Sequence, residues 1–386
     1  MSLNMNNRGR GFSLVELMVA MIISALLLLG LVQIFGASSA AYRSNMGVAR
    51  TQEGSRFAMD FLSRDLRMAG YMGCVNDMSR FMGAQPSFFS HFMTTAQRNA
   101  LNYNAAEFGL RFNVAIQGYE ATGTATGAVV DLGALAGPWA GTPAFPAVLT
   151  PVPRAGSDIV VLRFFGSDGA LVTGFNPTPG SGAPTISIEP ARAGLVTAGG
   201  LYALGDCNIA SVFQATTAAN PTTGTFNVAT SGLNRSGFQG QEALFGLASM
   251  NLYRAESLIY YVAEGPGGIP SLYRATATGA GWNSEEIVEG VEMLQLAYGV
   301  DTAAGQPDGA INEYRVASAI TTDANWRRVG AVRIGMLMRS PDRAATADRI
   351  SNQFVNGVRV TAPANSGVLR VSYENTVTLR NRLFGN

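Results

Sequence analysis

Few side chains in this sequence could carry out chemistry. The chain contains one histidine, His91, and two cysteines, Cys74 and Cys207. No Gly-x-Ser-x-Gly nucleophile elbow is present, so the usual signature of a serine hydrolase is missing. The Phe-rich surroundings of His91 favour a packed or solvent-exposed side chain over a catalytic one. Two carboxylates would be enough for a glycosidase, but the pattern singles out no pair. We predict that the protein is not an enzyme and has no catalytic residue.

Lysine is absent, so all 27 basic residues are arginine. This excludes P-loop NTPases, protein kinases and Schiff-base enzymes, because each needs a lysine at its centre. The net charge of +1 argues against a strongly electrostatic partner. Arginines near the C-terminus are better explained as solvated strand edges than as a phosphate-binding patch, so we expect no nucleic-acid partner. They are Arg327, Arg328, Arg333, Arg339, Arg343, Arg349, Arg370, Arg380 and Arg382.

Metal sites are equally hard to find in the sequence. A structural zinc ion needs about four Cys or His ligands, and the chain has only one histidine and two cysteines. The stretch from Asp308 to Glu313 carries acidic oxygens at loop spacing, but it lacks the alternating ligands of an EF-hand. A turn between strands is favoured there over a calcium site. We therefore predict no metal site and no cofactor.

The role of the two cysteines depends on the compartment. In an oxidising compartment Cys74 and Cys207 would form one disulfide, which would contribute about 4–5 kcal/mol in the chain-entropy model because it closes a long loop. In the cytosol two unpaired, buried cysteines would be the better explanation. The N-terminus of the chain decides between these two readings.

The N-terminus combines a basic leader with a long apolar run. Residues 1–11 are polar and contain Arg8 and Arg10 but no acid, and no residue from Leu17 to Tyr42 is charged. About 20 apolar residues span a bilayer as a helix, and the preceding positive charges keep the leader in the cytoplasm. A secretory signal cleaved at Ser38–Ala40 or a plain membrane anchor could also explain the apolar run. Neither explains Glu16 at its start, because a carboxylate costs about 2.5–3.5 kcal/mol at depth.

The segment Gly11-Phe12-Ser13-Leu14-Val15-Glu16 resembles the cleavage and methylation motif of type IV prepilins. The resemblance implies that a prepilin peptidase cuts after Gly11 and methylates the new N-terminal residue, Phe12. It also implies that Glu16 is needed for assembly, where it would pair with the amino terminus of a neighbouring subunit. Glu16 would in addition lie in the first turn of a helix, where the macrodipole favours a negative charge. Translation could start at Met1 or at Met5.

Further pieces, in order along the chain, are similar to the family of PilW-type minor pilins. They are residues 57–74, 206–207, 212–214, 260–262, 271–274, 291–301, 326–340 and 374–383. The resemblance implies a minor pilin that primes type IV pilus assembly, at the pilus tip, with the major pilin, other minor pilins and a tip adhesin as partners. It places the protein in the bacterial inner membrane with its head in the periplasm, and afterwards in the pilus. In that compartment Cys74 and Cys207 would tie the end of the helix to the head.

Two other functions compete with this interpretation. A J-type pseudopilin of type II secretion shares the leader, the helix and part of the head pattern. A membrane-tethered periplasmic enzyme or binding protein, including one for DNA uptake, would be favoured if Glu16 proved dispensable.

The elements that must position these residues form an α+β, type IV pilin-like fold. After the leader (1–11), the sequence predicts a helix over 12–70 that spans the membrane at about 14–37 and is amphipathic beyond it. Its predicted inner face holds Val48, Ser55, Met59, Leu62 and Leu66, whereas Arg50, Arg56, Arg64, Asp65 and Arg67 lie largely on other faces.

Residues 71–386 are predicted to form a β-rich head. Strands are expected at 159–165, 201–204 and 293–300, with a hairpin of 258–262 and 271–274. Strands at 329–339 and 369–379 should be antiparallel neighbours. Residues 285–290 are predicted to form a helical turn. Stretches rich in Gly, Ala, Thr and Pro at 118–155, 175–184 and 216–232 suggest long loops or an inserted subdomain.

Overall fold

A computed structural model describes residues 12–73, 88–100, 102–135, 137–141, 144–207, 209–238, 246, 249–305, 307–344, 353–363 and 366–382. The leader with Gly11, the first cysteine (Cys74) and Arg349 lie outside the described residues.

A single long helix, α1 (Leu14–Met68), opens the described chain. Its 55 residues correspond to a length of about 82 Å at 1.5 Å per residue. It lies within the predicted range of 12–70 and is two residues shorter at each end. Ser13 is the N-cap residue. The helix ends where Gly70 adopts a φ of 78°, a left-handed conformation that glycine adopts without steric cost.

The rest of the chain is mainly strands joined by short helical turns. The strands are β1 (Phe88–Ser90), β2 (Ile116–Ala121), β3 (Val129–Asp131), β4 (Trp139–Ala140), β5 (Ile159–Phe165), β6 (Ala170–Asn176), β7 (Thr185–Ile188), β8 (Leu201–Gly205), β9 (Ala210–Gln214), β10 (Thr225–Asn227), β11 (Asn251–Glu264), β12 (Pro270–Thr278), β13 (Gly281–Glu289), β14 (Val291–Val300), β15 (Glu313–Arg315), β16 (Val329–Arg343), β17 (Gln353–Val355), β18 (Val358–Thr361) and β19 (Val368–Thr378). Two short helices are α2 (Thr95–Asn99) and α3 (Asp323–Trp326).

The largest sheet has the order β1-β9-β8-β11-β5-β2-β4. β11 is its branching element, because it pairs with β8 and β6 near its start and with β5 and β12 further along. The β11–β12 hairpin is confirmed. Nearly all pairs are antiparallel; β1–β9 and β18–β3 are the parallel pairs among the described strands.

A second sheet has the order β15-β14-β16-β19, and a small third sheet has the order β17-β18-β3. β16 and β19 are antiparallel neighbours, as predicted, with Ile334 opposite Asn375. The prediction of a helical turn at residues 285–290 is wrong. Glu285 and Glu286 belong to β13, which pairs with β12, so strand pairing outweighs the local preference of glutamate for helix.

The predicted loop at 118–155 is also partly wrong. Gly118 lies inside the buried strand β2, and a Cβ added to it would come within 2.1 Å of the Tyr298 Oη atom. This glycine therefore permits close packing and does not mark a turn.

The main core lies between α1 and the sheets. Ala58, Leu62 and Leu66 of the helix are fully buried, together with apolar side chains of β5, β11, β14 and β16. The C-terminal half of the helix thus forms one layer of the core. The N-terminal half extends outside the head.

Candidate functional site

The start of α1 is a capping box built from Ser13 and Glu16. The Ser13 backbone N–H donates to Glu16 Oε2 at 3.1 Å, and the Glu16 backbone N–H donates to Ser13 Oγ at 3.4 Å. The two residues satisfy each other's backbone donors at the helix terminus, and the carboxylate lies where the helix dipole favours it. Phe12, the first described residue, is exposed.

The first half of α1 projects from the head. From Leu14 to Phe35 its large apolar side chains are at least 50% exposed. The helix is long and apolar enough to cross a membrane, by length and composition alone. An uncovered apolar surface of this length needs a membrane or other helices around it.

The second half of α1 reaches the head through small residues. Gly47, Thr51, Ser55 and Ala58 are buried at intervals of three or four positions, which is the spacing of one helix face. A Cβ added to Gly47 would lie 2.5 Å from the Ala344 Cβ atom, so the backbone of α1 lies very close to the end of β16 there. Val48, which the sequence placed on this face, is exposed.

A polar cluster, formed by Asp65, Tyr260, Arg274 and Glu285, joins α1 to the head. Tyr260 Oη donates to Asp65 Oδ2 at 2.6 Å, and Arg274 Nη1 donates to the same oxygen at 3.3 Å. Arg274 Nε also donates to Glu285 Oε1 at 2.8 Å. The sequence placed Asp65 on an outer face of the helix, but it is only 4% exposed. That prediction is wrong because the carboxylate has charged and hydroxyl partners inside the protein.

Burial and neighbouring charges fix the protonation states of Tyr260 and Arg274 in this cluster. Burial raises the pKa of Tyr260, and the adjacent Asp65 raises it further. Burial lowers the pKa of Arg274, but the hydrogen bond and charge of Glu285 and the charge of Asp65 outweigh this and raise it above its ordinary value. Tyr260 therefore remains a neutral donor and Arg274 remains a cation over the physiological pH range.

The C-terminal end of α1 is attached to the head through its backbone. Gly70 N–H donates to the Arg163 carbonyl at 3.1 Å, and Phe165 N–H donates to the Tyr71 carbonyl at 2.7 Å. Asn381 Nδ2 donates to the Arg67 carbonyl at 2.9 Å, so it satisfies one of the helix's last carbonyls.

Met72 and Gly205, each two positions before a cysteine in the sequence, lie close together. A Cβ added to Gly205 would lie 3.5 Å from the Met72 carbonyl oxygen. Met72 precedes Cys74 by two positions, and Gly205 precedes Cys207 by two positions. Because Cys74 is outside the described residues, the Cys74–Cys207 disulfide stays a prediction.

His91 has structural contacts. It is fully buried; its Nδ1 atom lies 2.8 Å from the Ser236 carbonyl oxygen, and its Nε2 atom lies 2.9 Å from Ser211 Oγ. Its ring also packs against Phe238, with 4.3 Å between ring centroids. The sequence left a packed and a solvent-exposed histidine open, and the structure shows the packed one.

Several C-terminal arginines have partners within the protein. Arg370 donates from Nε and Nη2 to Glu292 at 2.6 and 3.0 Å, and both side chains are nearly buried. Arg328 Nη1 donates to the Ala303 carbonyl at 2.8 Å, and Arg333 lies over the Tyr314 ring at 4.1 Å. Each of these three arginines therefore has a partner within the head.

The stretch around Asp308 is a turn held by backbone donors. Asp301 Oδ2 accepts from the Asp308 and Gly309 N–H groups, both at 2.8 Å. Burial raises the pKa of Asp301, but these donors and Arg328 outweigh it and lower the pKa below its ordinary value. Among the described residues, no group of three or more His, Cys, Asp or Glu side chains could hold a metal ion.

Comparison with known proteins gives two family matches. The model of Type IV Pilus-assembly protein W matches residues 259–381, and that of the prokaryotic N-terminal methylation motif matches residues 6–32. The solved structure of the type IV-like pilin TTHA1219 from Thermus thermophilus is similar at 16% identity, over 33% of this chain and 68% of that chain, with a TM-score of 0.20. That likeness is too low to carry an argument. No curated protein matches the chain.

The two matched segments coincide with the features described above. The methylation motif covers Ser13, Glu16 and the exposed apolar residues of α1 as far as Val32. The second match runs from within β11 to the end of β19 and includes Tyr260, Arg274 and Asn381, three of the residues that contact α1. Residues 259–381 of this chain are therefore similar to Type IV Pilus-assembly protein W, and residues 6–32 are similar to the prokaryotic N-terminal methylation motif.

Proposed function

We propose that this protein is a minor pilin that primes assembly of the type IV pilus and is located at the pilus tip. A prepilin peptidase would cleave between Gly11 and Phe12 and methylate the Phe12 amino group. The mature chain would be held in the inner membrane by α1 with its head in the periplasm. There it would join other minor pilins and the major pilin, and a tip adhesin is a further partner.

The observation that carries the proposal is the position of Glu16. It is the last charged residue before an uncharged run that extends to Tyr42, and it lies at the start of an exposed apolar helix. Within its own chain the carboxylate caps the Ser13 N–H group. In a bundle of such helices it would lie in a medium of low dielectric constant and would be stabilised by a neighbouring cation. The Phe12 amino terminus of another subunit is a cation of this kind, and maturation creates it.

Cleavage after Gly11 is compatible with the cap. The capping box uses Ser13 and Glu16 only, so removal of residues 1–11 takes away neither partner. The mature helix would begin with the same hydrogen bonds and a new positive charge one residue before Ser13.

The two roles of Glu16 can be separated by substitution. Glutamine can take the place of glutamate in a capping box, so Glu16→Gln keeps the cap but removes the charge. Ser13→Ala removes the hydroxyl that accepts from the Glu16 N–H group and keeps the charge. In a deletion strain, we expect wild-type protein and Ser13→Ala to restore surface pili and twitching. We expect Glu16→Gln to fail although its membrane-bound level stays normal.

The same experiment tests the competing functions when secretion of type II substrates is followed in parallel. Normal pili with failed secretion in the deletion strain would identify a pseudopilin. If neither pili nor secretion changed, a membrane-tethered enzyme or binding protein would replace the minor-pilin proposal. Restored pili with Glu16→Gln would contradict the pairing of its charge with a neighbouring subunit.

We further propose that Cys74 and Cys207 form a disulfide in the periplasm. The close approach of Met72 and Gly205 supports it, because each lies two residues from a cysteine. The disulfide would add a covalent link between the end of α1 and strand β8.

A further inference from the structure

A cavity of about 270 Å³ lies where α1 leaves the head. Its lining residues are Tyr42, Arg43, Met46, Gly47 and Arg50 of the helix and Ser340, Pro341 and Ala344 at the end of β16. It combines an apolar floor with two arginine side chains. Such a combination suits a ligand with an anionic group beside an apolar part.

The depth of this cavity follows from the length of the helix. The 22 positions from Leu14 to Phe35 span about 32 Å at 1.5 Å per residue, and the hydrocarbon core of a bilayer is about 30 Å thick. Tyr42 and Arg43 lie about 10 Å further along the axis. That distance places them in the headgroup layer, where tyrosine is enriched.

We propose that this cavity binds the headgroup phosphate of an anionic phospholipid in the membrane leaflet that faces the head. Arg43 is the phosphate ligand. Its side chain is exposed at the cavity edge, and its one hydrogen bond in the described structure, from Nε to the Ser39 carbonyl at 3.4 Å, leaves other donors for a phosphate. Met46 and Pro341 would contact the glycerol and the first methylene groups. The proposal rests on the membrane anchoring in the proposed function.

The structure also accounts for why the cavity exists. At Gly47 the helix backbone and Ala344 are in close contact, and the cavity beside that contact is lined by Tyr42 of the helix and Pro341 of β16. A lipid headgroup in this gap would contact both the helix and the head, so it would stabilise their relative position.

The test uses the full chain in nanodiscs of phosphatidylcholine alone and of phosphatidylcholine with phosphatidylglycerol. Arg43→Gln is compared with Arg56→Gln, an exposed arginine of the same helix away from the cavity. The number of phosphatidylglycerol molecules retained after gentle detergent extraction is counted by native mass spectrometry.

An arginine near an anionic membrane surface contributes about 1 kcal/mol of binding free energy, so its loss corresponds to about a fivefold lower retention. We expect that loss for Arg43→Gln only, and a melting temperature that rises with phosphatidylglycerol in the wild type and in Arg56→Gln.

Other outcomes would overturn the proposal. Equal retention of phosphatidylglycerol by Arg43→Gln and the wild type, or an equal loss of it in both variants, would rule out the cavity as a lipid-binding site. Competition by soluble glycerol phosphate at equal concentration would assign the site to a soluble anion. A change in self-association of Arg43→Gln without a change in lipid retention would assign the surface to a second copy of the chain. Failure of the wild type to insert into phosphatidylcholine vesicles would instead refute the membrane anchoring itself.

Discussion

At the scale of single residues, Asp65 is a polar side chain of α1 that hydrogen-bonds to two residues of the head. One carboxylate oxygen accepts hydrogen bonds from both Tyr260 and Arg274. The carboxylate is buried and forms an ion pair with Arg274, which is itself mostly buried. Removal of Asp65 or of Arg274 would therefore leave the other charge without its partner.

Asp65→Asn should destabilise the protein by about 2–3 kcal/mol, because it removes the charge from a buried, charge-assisted hydrogen bond. Asp60→Asn on the exposed side of the same helix is the matched control and should change stability little. Thermal unfolding of the full chain in mild detergent measures both. Equal melting temperatures for the two variants would mean that the cluster contributes no net stability.

The sequence could not reveal this cluster. Tyr260 and Arg274 follow Asp65 by 195 and 209 positions, and helical spacing alone assigns a charged residue to the solvent. Glu16 was accessible to prediction because its signal is local: a carboxylate next to an apolar run is recognisable without any tertiary contact.

At the scale of elements, α1 was predicted nearly to its ends because its apolar run, its missing prolines and its Ser13–Glu16 cap are all properties of neighbouring residues. Its inner face was predicted less well. Ser55 is buried as predicted, but Val48 is exposed. Gly47 and Thr51 are buried in its place, since small side chains allow a short distance between a helix and a sheet.

Gly47→Leu tests this close approach. A larger side chain would overlap Ala344, and overpacking of this kind costs about 1–3 kcal/mol. Gly36→Leu introduces the same side chain at a helical glycine with no atom within 4 Å of an added Cβ, and it should leave the melting temperature unchanged or raise it. An equal response of both variants would show that the helix can move away from β16 without cost.

At the scale of the whole molecule, the Cys74–Cys207 disulfide is the next prediction. Removal of a native disulfide typically costs about 2–5 kcal/mol, so Cys74→Ser should melt at a lower temperature than the oxidised wild type. Reducing agent should lower the melting temperature of the wild type and leave that of the double Cys→Ser variant unchanged. Two titratable thiols in the denatured, unreduced wild type would contradict the disulfide.

The arrangement of the sheets was the part of the fold least accessible from the sequence. The strands at 159–165 and 293–300 were located by their apolar runs, and the pairing of β16 with β19 by their alternation. The branching of β11 among β5, β6, β8 and β12 joins residues far apart in the chain. Such pairing depends on global packing, which a local pattern does not contain.

The attachment of α1 to β5 has a mechanical consequence. Gly70 and Tyr71 bond to the backbone at Arg163 and Phe165, and β5 lies between β11 and β2. Tension on the helix therefore enters the head at an interior strand. An edge strand can be peeled away one hydrogen bond at a time, whereas β5 cannot be pulled out without breaking its ladders on both sides. The force is distributed over the neighbouring strands, so the head resists unfolding when it is pulled through α1.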